Sequence, residues 1–409
     1  MKTKLMIVGV AVLLVFASCK KEGCTDELAN NYSKKAKKDD GTCTYADGVI
    51  TQTITTNITT PTVIGDKTIK ICGDISISAG FTLQPGAVVI MCAGSSIEVL
   101  PTGYISAVGT ATNPIVIKGE TETKGFWEGL SIQSNNPNNK FSYTTIKDAG
   151  TYWGWEFATV FVADQAKLEI NNSTISNSEN VAMYVHETAT LVSFANNIFS
   201  NSVTGLSIGV TGVSKIDGAS QYGLNNTNNF IMVRTGTLNT DATWPKTTTP
   251  LLVNGVTVNA GLTLSPGVNI LVEADGDFNI QSTGYLNSVG TALDPISIQG
   301  RYNSSAYWQG IFISSNNPNN MLKYTTVKDG GGYWGYEYAN VYVDGKLTVD
   351  NSTIANGNSY GIYVNTSSTI ISAGITQIAA AGVEANNTFI ANGVGPNANC
   401  VSGCTIFFE

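Results

Sequence analysis

Ala79-Gly80-Phe81-Thr82-Leu83-Gln84-Pro85-Gly86 is written again as Ala260-Gly261-Leu262-Thr263-Leu264-Ser265-Pro266-Gly267, and that repetition decides the fold. The same offset of 181 residues carries Ser134-Asn135-Asn136-Pro137-Asn138-Asn139 onto Ser315-Asn316-Asn317-Pro318-Asn319-Asn320. It also carries Tyr152-Trp153-Gly154 onto Tyr333-Trp334-Gly335. Residues 79–162 and 260–343 are therefore one stretch written twice, with no residue gained or lost. Beyond Val162 the offset falls to 179, because Asn172-Ser173-Thr174-Ile175 matches Asn351-Ser352-Thr353-Ile354. A self-similar chain stacks units that bury one another's apolar faces. What one copy does, the other is placed to do as well.

Outward from the repeat, the apolar pattern is a series of short strands bounded by Gly, Asn, Pro or Asp. Ile75-Ser76-Ile77, Ile97-Glu98-Val99, Leu130-Ser131-Ile132 and Val160-Phe161-Val162 are examples. Alternation over three to five residues marks strands, and no helical period outlasts two turns. Strands this short and numerous suit a sandwich or a solenoid. The Asn pairs at 171–172, 196–197 and 386–387 favour the solenoid, because Asn stacks in ladders and tolerates turn conformations. Charged residues make up only 13% of the chain, about half the usual share, while polar uncharged residues abound. An acidic chain of net charge −8 argues against nucleic acid as a partner.

Gly80-x-Thr82-Leu83-x-Pro85-Gly86, Gly103-Tyr104-Ile105, Gly109-Thr110, Pro114-Ile115-x-Ile117 and Trp127-x-Gly129-Leu130 resemble right-handed parallel β-helix surface proteins, the pectate-lyase-like architecture. The second copy carries the pattern through Gly261, Pro266-Gly267, Gly290-Thr291, Pro295-Ile296 and Trp308-x-Gly310-Ile311. The resemblance spans roughly 50–200 and 240–394. It implies an all-β right-handed parallel β-helix built from two tandem homologous halves. It says little of function, since that coil hosts lyases, hydrolases, adhesins and stalks. The expected organisation is a first half at 49–204, connecting coils at 205–240 and a second half at 241–409. Thr243-Trp244-Pro245 reads as the opening of a first coil. One solenoid or two coaxial halves both fit. Trp127 and Trp308 are expected in the core.

The N-terminus reads as a leader. Lys2 and Lys4 precede the apolar run Leu5 to Phe16, then Ala17-Ser18-Cys19, a run too short to cross a bilayer. It resembles a bacterial lipoprotein signal, 1–18, with Cys19 cleaved to and lipidated. Acyl chains there would anchor the protein to a membrane. Lys20 in place of Asp favours the outer membrane, with surface exposure expected and the periplasmic leaflet left open. Loss of the leader takes away two lysines and no acid, moving the net charge from −8 to −10.

Residues 19–48 hold the anchor and a spacer. Cys24-Thr25-Asp26 through Asp39-Asp40-Gly41-Thr42-Cys43 resembles a Cys-bounded module of secreted Gram-negative proteins. Asp26, Asp39 and Asp40 are its weak calcium candidates. Three carboxylates are few for an ion that takes six to eight oxygens, so a disulfide-closed spacer is the preferred reading and no cofactor is expected. Setting Cys19 aside, six cysteines remain, an even number in an exported chain. Their placement suggests the pairs Cys24–Cys43, Cys72–Cys92 and Cys400–Cys404, the last two being candidates to cover the solenoid's ends. A metal site is the rival. The chain has one histidine, His186, and no paired C-x-x-C.

Two kinds of residue invite a functional reading. Tyr152, Trp153 and Trp155, repeated as Tyr333, Trp334 and Tyr336, crowd rings around Gly and one acid. Rings with a nearby carboxylate suit a sugar, whose faces stack on them and whose hydroxyls donate to the acid. The same cluster also suits an aromatic plug over the coil. The second kind is the pair Asp148 and Glu156, repeated as Asp329 and Glu337, which are the duplicated acids available to a polysaccharide lyase or glycoside hydrolase. Only Arg234 and Arg301 occur in the whole chain, fewer cations than a lyase of anionic sugars would use. The balance is against catalysis. The expectation is a monomeric, non-catalytic, outer-membrane β-helix lipoprotein that binds a glycan or surface protein, or that displays a rigid rod.

Overall fold

In Ile97-Glu98-Val99 the first and third side chains point one way and the second the other, and the structure turns every such strand with its apolar pair inward. The computed structural model describes residues 21–44, 48–396 and 405–409. The proposed leader, Cys19 and the pair Cys400–Cys404 lie outside the described residues. Two units are present, up to Thr51 and from Gln52 onward. In the first, Cys24 and Cys43 are disulfide-bonded and Lys38 pairs with Glu22 at 2.6 Å. Asp26, Asp39 and Asp40 each accept a backbone N–H two residues on, as turn caps do.

The second unit is an all-β parallel β-helix. Successive strands Val88–Met91, Ser96–Val99 and Tyr104–Val108 enter three different sheets, of eight, thirteen and six strands. Each then pairs, in parallel, with its counterpart one coil further on. Ile71, Met91, Ile97, Val99, Leu130 and Val160 are among the fully enclosed side chains that fill the shaft. Trp127 and Trp308 are 0% exposed, and each indole N–H donates at 2.8 Å to the carbonyl of Lys147 or Lys328. They are core residues.

Polar ladders run alongside the apolar columns. The backbone N–H of Thr144 donates to Ser173 Oγ, that of Ser173 to Asn197 Oδ1, and that of Asn197 to Ser220 Oγ. Each side-chain oxygen thus satisfies a turn N–H of the neighbouring coil, which would otherwise be buried and unpaired. Asn172, Asn196 and Asn351 take the left-handed turn positions, with φ of 50°, 56° and 48°, where Asn is the cheapest non-glycine residue. The Cys72–Cys92 disulfide joins two turns stacked one coil apart, their Cα atoms 4.9 Å apart, which is the strand spacing itself.

The sheets are not shared equally between the copies. The thirteen-stranded sheet runs from Asp74–Ile77 to Thr388–Ile390, through both. The eight- and six-stranded sheets end at Gln221–Leu224 and Thr190–Ala195. Two seven-stranded sheets begin at Gly236–Leu238 and Ala242–Trp244. Counterparts 181 residues apart therefore change sheet. Val88–Met91 lies in the eight-stranded sheet, but Asn269–Val272 lies in the thirteen-stranded one. Ser96–Val99 lies in the thirteen-stranded sheet, but Asp277–Ile280 lies in a seven-stranded one. The second copy is advanced by one face of the coil. At the C-terminal side, Ile375–Gln377 folds back antiparallel on Thr369–Ser372, and the short helix Ala380–Glu384 buries Val383. These elements cover that end.

Candidate functional site

The aromatic insert leaves strand Thr144–Lys147 and enters Ala158–Val162. A 3-10 turn, Trp153–Trp155, is followed by two residues in left-handed conformation, Glu156 and Phe157, both at φ 54°. The second copy repeats this with Trp334–Tyr336, then Glu337 at 50° and Tyr338 at 54°. Each such non-glycine residue costs about 1–2 kcal/mol, and the loop is held by Phe157 N–H donating to Tyr152 O at 3.1 Å.

The turn sends neighbouring rings in opposite directions. Trp153 and Trp334 are 73% and 69% exposed, whereas Trp155 and Tyr336 are each 7% exposed. Tyr152 stands between, edge-on to Trp155 at 4.9 Å and 6.1 Å from Trp153. Tyr333 does the same with Tyr336 at 5.0 Å and Trp334 at 5.6 Å. The inserts are thus part platform and part plug. The inward ring packs, the middle tyrosine braces, and the outer tryptophan offers its face to solvent.

Beneath the first insert lies a cleft of about 210 Å³ lined by Tyr152 and Trp155 together with Asp74, Glu98 and Glu128. The acids come from three successive coils, on or just before the strands Asp74–Ile77, Ser96–Val99 and Gly129–Ile132. Asp74 accepts from Ser96 Oγ at 2.8 Å, and Glu98 accepts from Gln133 Nε2 at 2.6 Å. Burial, and then the nearby Asp74 charge, raise the pKa of Glu128 above the ordinary carboxylate value. Sequence reading missed all three. The signal was present in Glu98, the outward middle residue of Ile97-Glu98-Val99, and in Asp74 and Glu128, each at or just before the first residue of a strand, but it needs the register before it becomes a cluster.

The second copy does not reproduce the cleft. At the places of Asp74, Glu98 and Glu128 it has Gly255, Asn279 and Gln309. Ser131 is replaced by Phe312, which stacks on Tyr336 at 5.0 Å with planes 1° apart. Phe312, Tyr342, Tyr363 and Phe407 continue as ring-to-ring neighbours at 5.0–5.5 Å. Asp277 accepts from Tyr336 Oη at 3.3 Å, and burial raises its pKa.

The duplicated acids singled out in the sequence do not form pairs. Asp148 and Asp329 are 0% exposed, in left-handed turns at φ 72° and 70°. Each accepts from an asparagine of the next coil, Asn177 or Asn356, at 2.7 Å. Burial is the main cause raising both carboxyl pKa values. Glu156 and Glu337 lie exposed on the turns, and no hydrogen bond or ion pair among the described residues links them to the aspartates. A carboxyl with no exposed surface cannot touch a polymer, so Asp148 and Asp329 are turn-holding residues.

The inserts also face apart. The first precedes its strand in the thirteen-stranded sheet, and the second follows Thr325–Lys328 in the same sheet. With parallel strands, they lie at opposite edges. Seven strand steps separate them along the sheet order, about 34 Å at 4.8 Å per strand. No protein-family model, no curated protein and no solved structure matches this chain.

Proposed function

We propose that this protein is a non-catalytic, surface-exposed β-helix lipoprotein, held in the outer membrane by acyl chains on Cys19, that binds an uncharged glycan at its first insert. The observation that carries the reading is the exposed Trp153 beside a cleft where Asp74, Glu98 and Glu128 gather under Tyr152 and Trp155. Carboxylates accept from sugar hydroxyls and repel anionic polymers, while a flat ring stacks on the apolar face of a pyranose. Because the second insert lacks those acids, binding is assigned to one copy, and the Trp334 platform is a secondary contact.

The test is affinity electrophoresis of the full chain through a panel of neutral and acidic polysaccharides. Retardation by a neutral glycan is expected, reduced by W153A and E98Q and little changed by W334A. Retardation untouched by W153A would remove the assignment. Incorporation of labelled palmitate, abolished by C19A, tests the anchor. A hydrolase reading has one specific support: burial, and then the Asp74 charge, raise the Glu128 pKa, the direction in which a general acid is tuned. Release of reducing ends from a neutral glycan, lost in E128Q, would put catalysis in place of binding.

A further inference from the structure

Both arginines of the chain line one cavity, far from either insert in sequence. It is about 540 Å³ and opens where the sheets change over, on the outside of the thirteen-stranded sheet. The registers Val233↔Val253, Val253↔Val272 and Val272↔Gly300 put the residues that follow them, Arg234, Asn254, Glu273 and Arg301, in one column at the sheet's edge. Beside that column Met232 is paired with Leu252, and Phe230 closes the apolar side.

The two cations are not equivalent. Arg301 is neutralised, with Nη1 3.0 and 3.2 Å from the Glu273 oxygens. Arg234 has no carboxylate within ion-pair distance among the described residues. Its guanidinium lies 3.9 Å over the Tyr184 ring, with Nη1 donating to Ser207 Oγ at 2.8 Å and Nη2 to the Val185 carbonyl. Glu187 and Glu156 act on it only as more distant charges. Two of its five N–H donors are used, and the fork is fixed in plane. A half-buried cation with no carboxylate in contact is costly, and an anion seated there would offset that cost.

Charge balance and shape narrow the anion. Two arginines and one glutamate leave the cavity lining one unit positive, matching a monoanion rather than a phosphate of charge near −2. The volume falls in the small-molecule range, and the apolar wall beside the fork asks for an apolar body. We infer that this pocket binds a small organic monocarboxylate with an apolar body, its carboxylate held by Arg234 and its body against Phe230, Met232 and Leu252. This site is independent of the glycan cleft.

The test is a ligand-observed NMR titration of the full chain with sodium 4-phenylbutyrate, its neutral analogue 4-phenylbutan-1-ol, and inorganic phosphate. The carboxylate is expected to bind at least tenfold more tightly than either control. R234M, which keeps an apolar stem, should weaken it at least tenfold, and W153A should leave it unchanged. E273Q, which releases Arg301, should tighten it at least threefold. Equal binding of the alcohol, tighter binding of phosphate, or a folded R234M that binds as the wild type overturns the inference. Should R234M fail to fold, the absence of tightening in E273Q overturns it equally.

Discussion

Removing the Cys72–Cys92 bridge should loosen one end of the shaft and leave the rest untouched. The bond joins residues 20 apart, and chain-entropy reasoning for a loop of that size gives about 3 kcal/mol of stabilisation. In most domains that sum would be felt everywhere. Here each coil touches only its neighbours, so the loss should stay near the coils the bond ties together. The perturbation is C72S/C92S, and the assay is hydrogen exchange followed by mass spectrometry. Amides of Thr68–Ile71, Asp74–Ile77 and Val88–Met91 are expected to exchange roughly a hundredfold faster, the equivalent of about 3 kcal/mol. Amides of Ile296–Gly300 and Thr325–Lys328 should keep their wild-type rates. An equal acceleration in both sets would refute the nearest-neighbour argument. No acceleration in the first set would refute the entropic one.

Two further outcomes follow from the insert and the buried aspartates. W155A should cost about 3 kcal/mol by emptying a packed ring site, whereas W153A should stay within about 0.5 kcal/mol; chemical denaturation monitored at the insert distinguishes them. Asp148 and Asp329 have folded pKa values raised by burial, so the native state holds protons that the unfolded chain releases. Their contribution is most favourable below the unfolded carboxylate pKa and is lost as pH rises through the folded one. D148N/D329N should therefore melt above the wild type at pH 7, with the gap narrowing as the solution is acidified towards pH 4. A gap that widens on acidification would show the sign to be wrong.

The shaft was legible because its rule is local. An Ile-x-Ile triplet alternates whatever surrounds it, Asn196 announces a left-handed turn by itself, and Trp127 reads as core from its place in a repeated motif. The cleft was not legible, because Asp74, Glu98 and Glu128 become neighbours only through a register that depends on the length of every intervening turn. Asp148 and Glu156 misled for the opposite reason. They are close in sequence, but a positive φ at Asp148 turns its side chain under the coil while Glu156 caps an exposed loop. Trp153 and Trp155 are the same residue type two positions apart, and only the tight turn between them decides which one meets water. The inequality of the copies was written plainly in Glu128 and Gln309, yet it acquires meaning only once the cleft is known.

The change of sheet between copies has a geometric consequence for any longer relative. A repeat of 181 residues is not a whole number of windings, since it returns a strand to the adjacent face rather than its own. A third such unit added in tandem would shift the display by one more face, and a fourth would restore the first orientation. Lengthening by this unit would therefore wind the tryptophan platforms around the rod as a spiral stair rather than line them up along one side. Whatever meets the first platform head-on would reach the second only by wrapping.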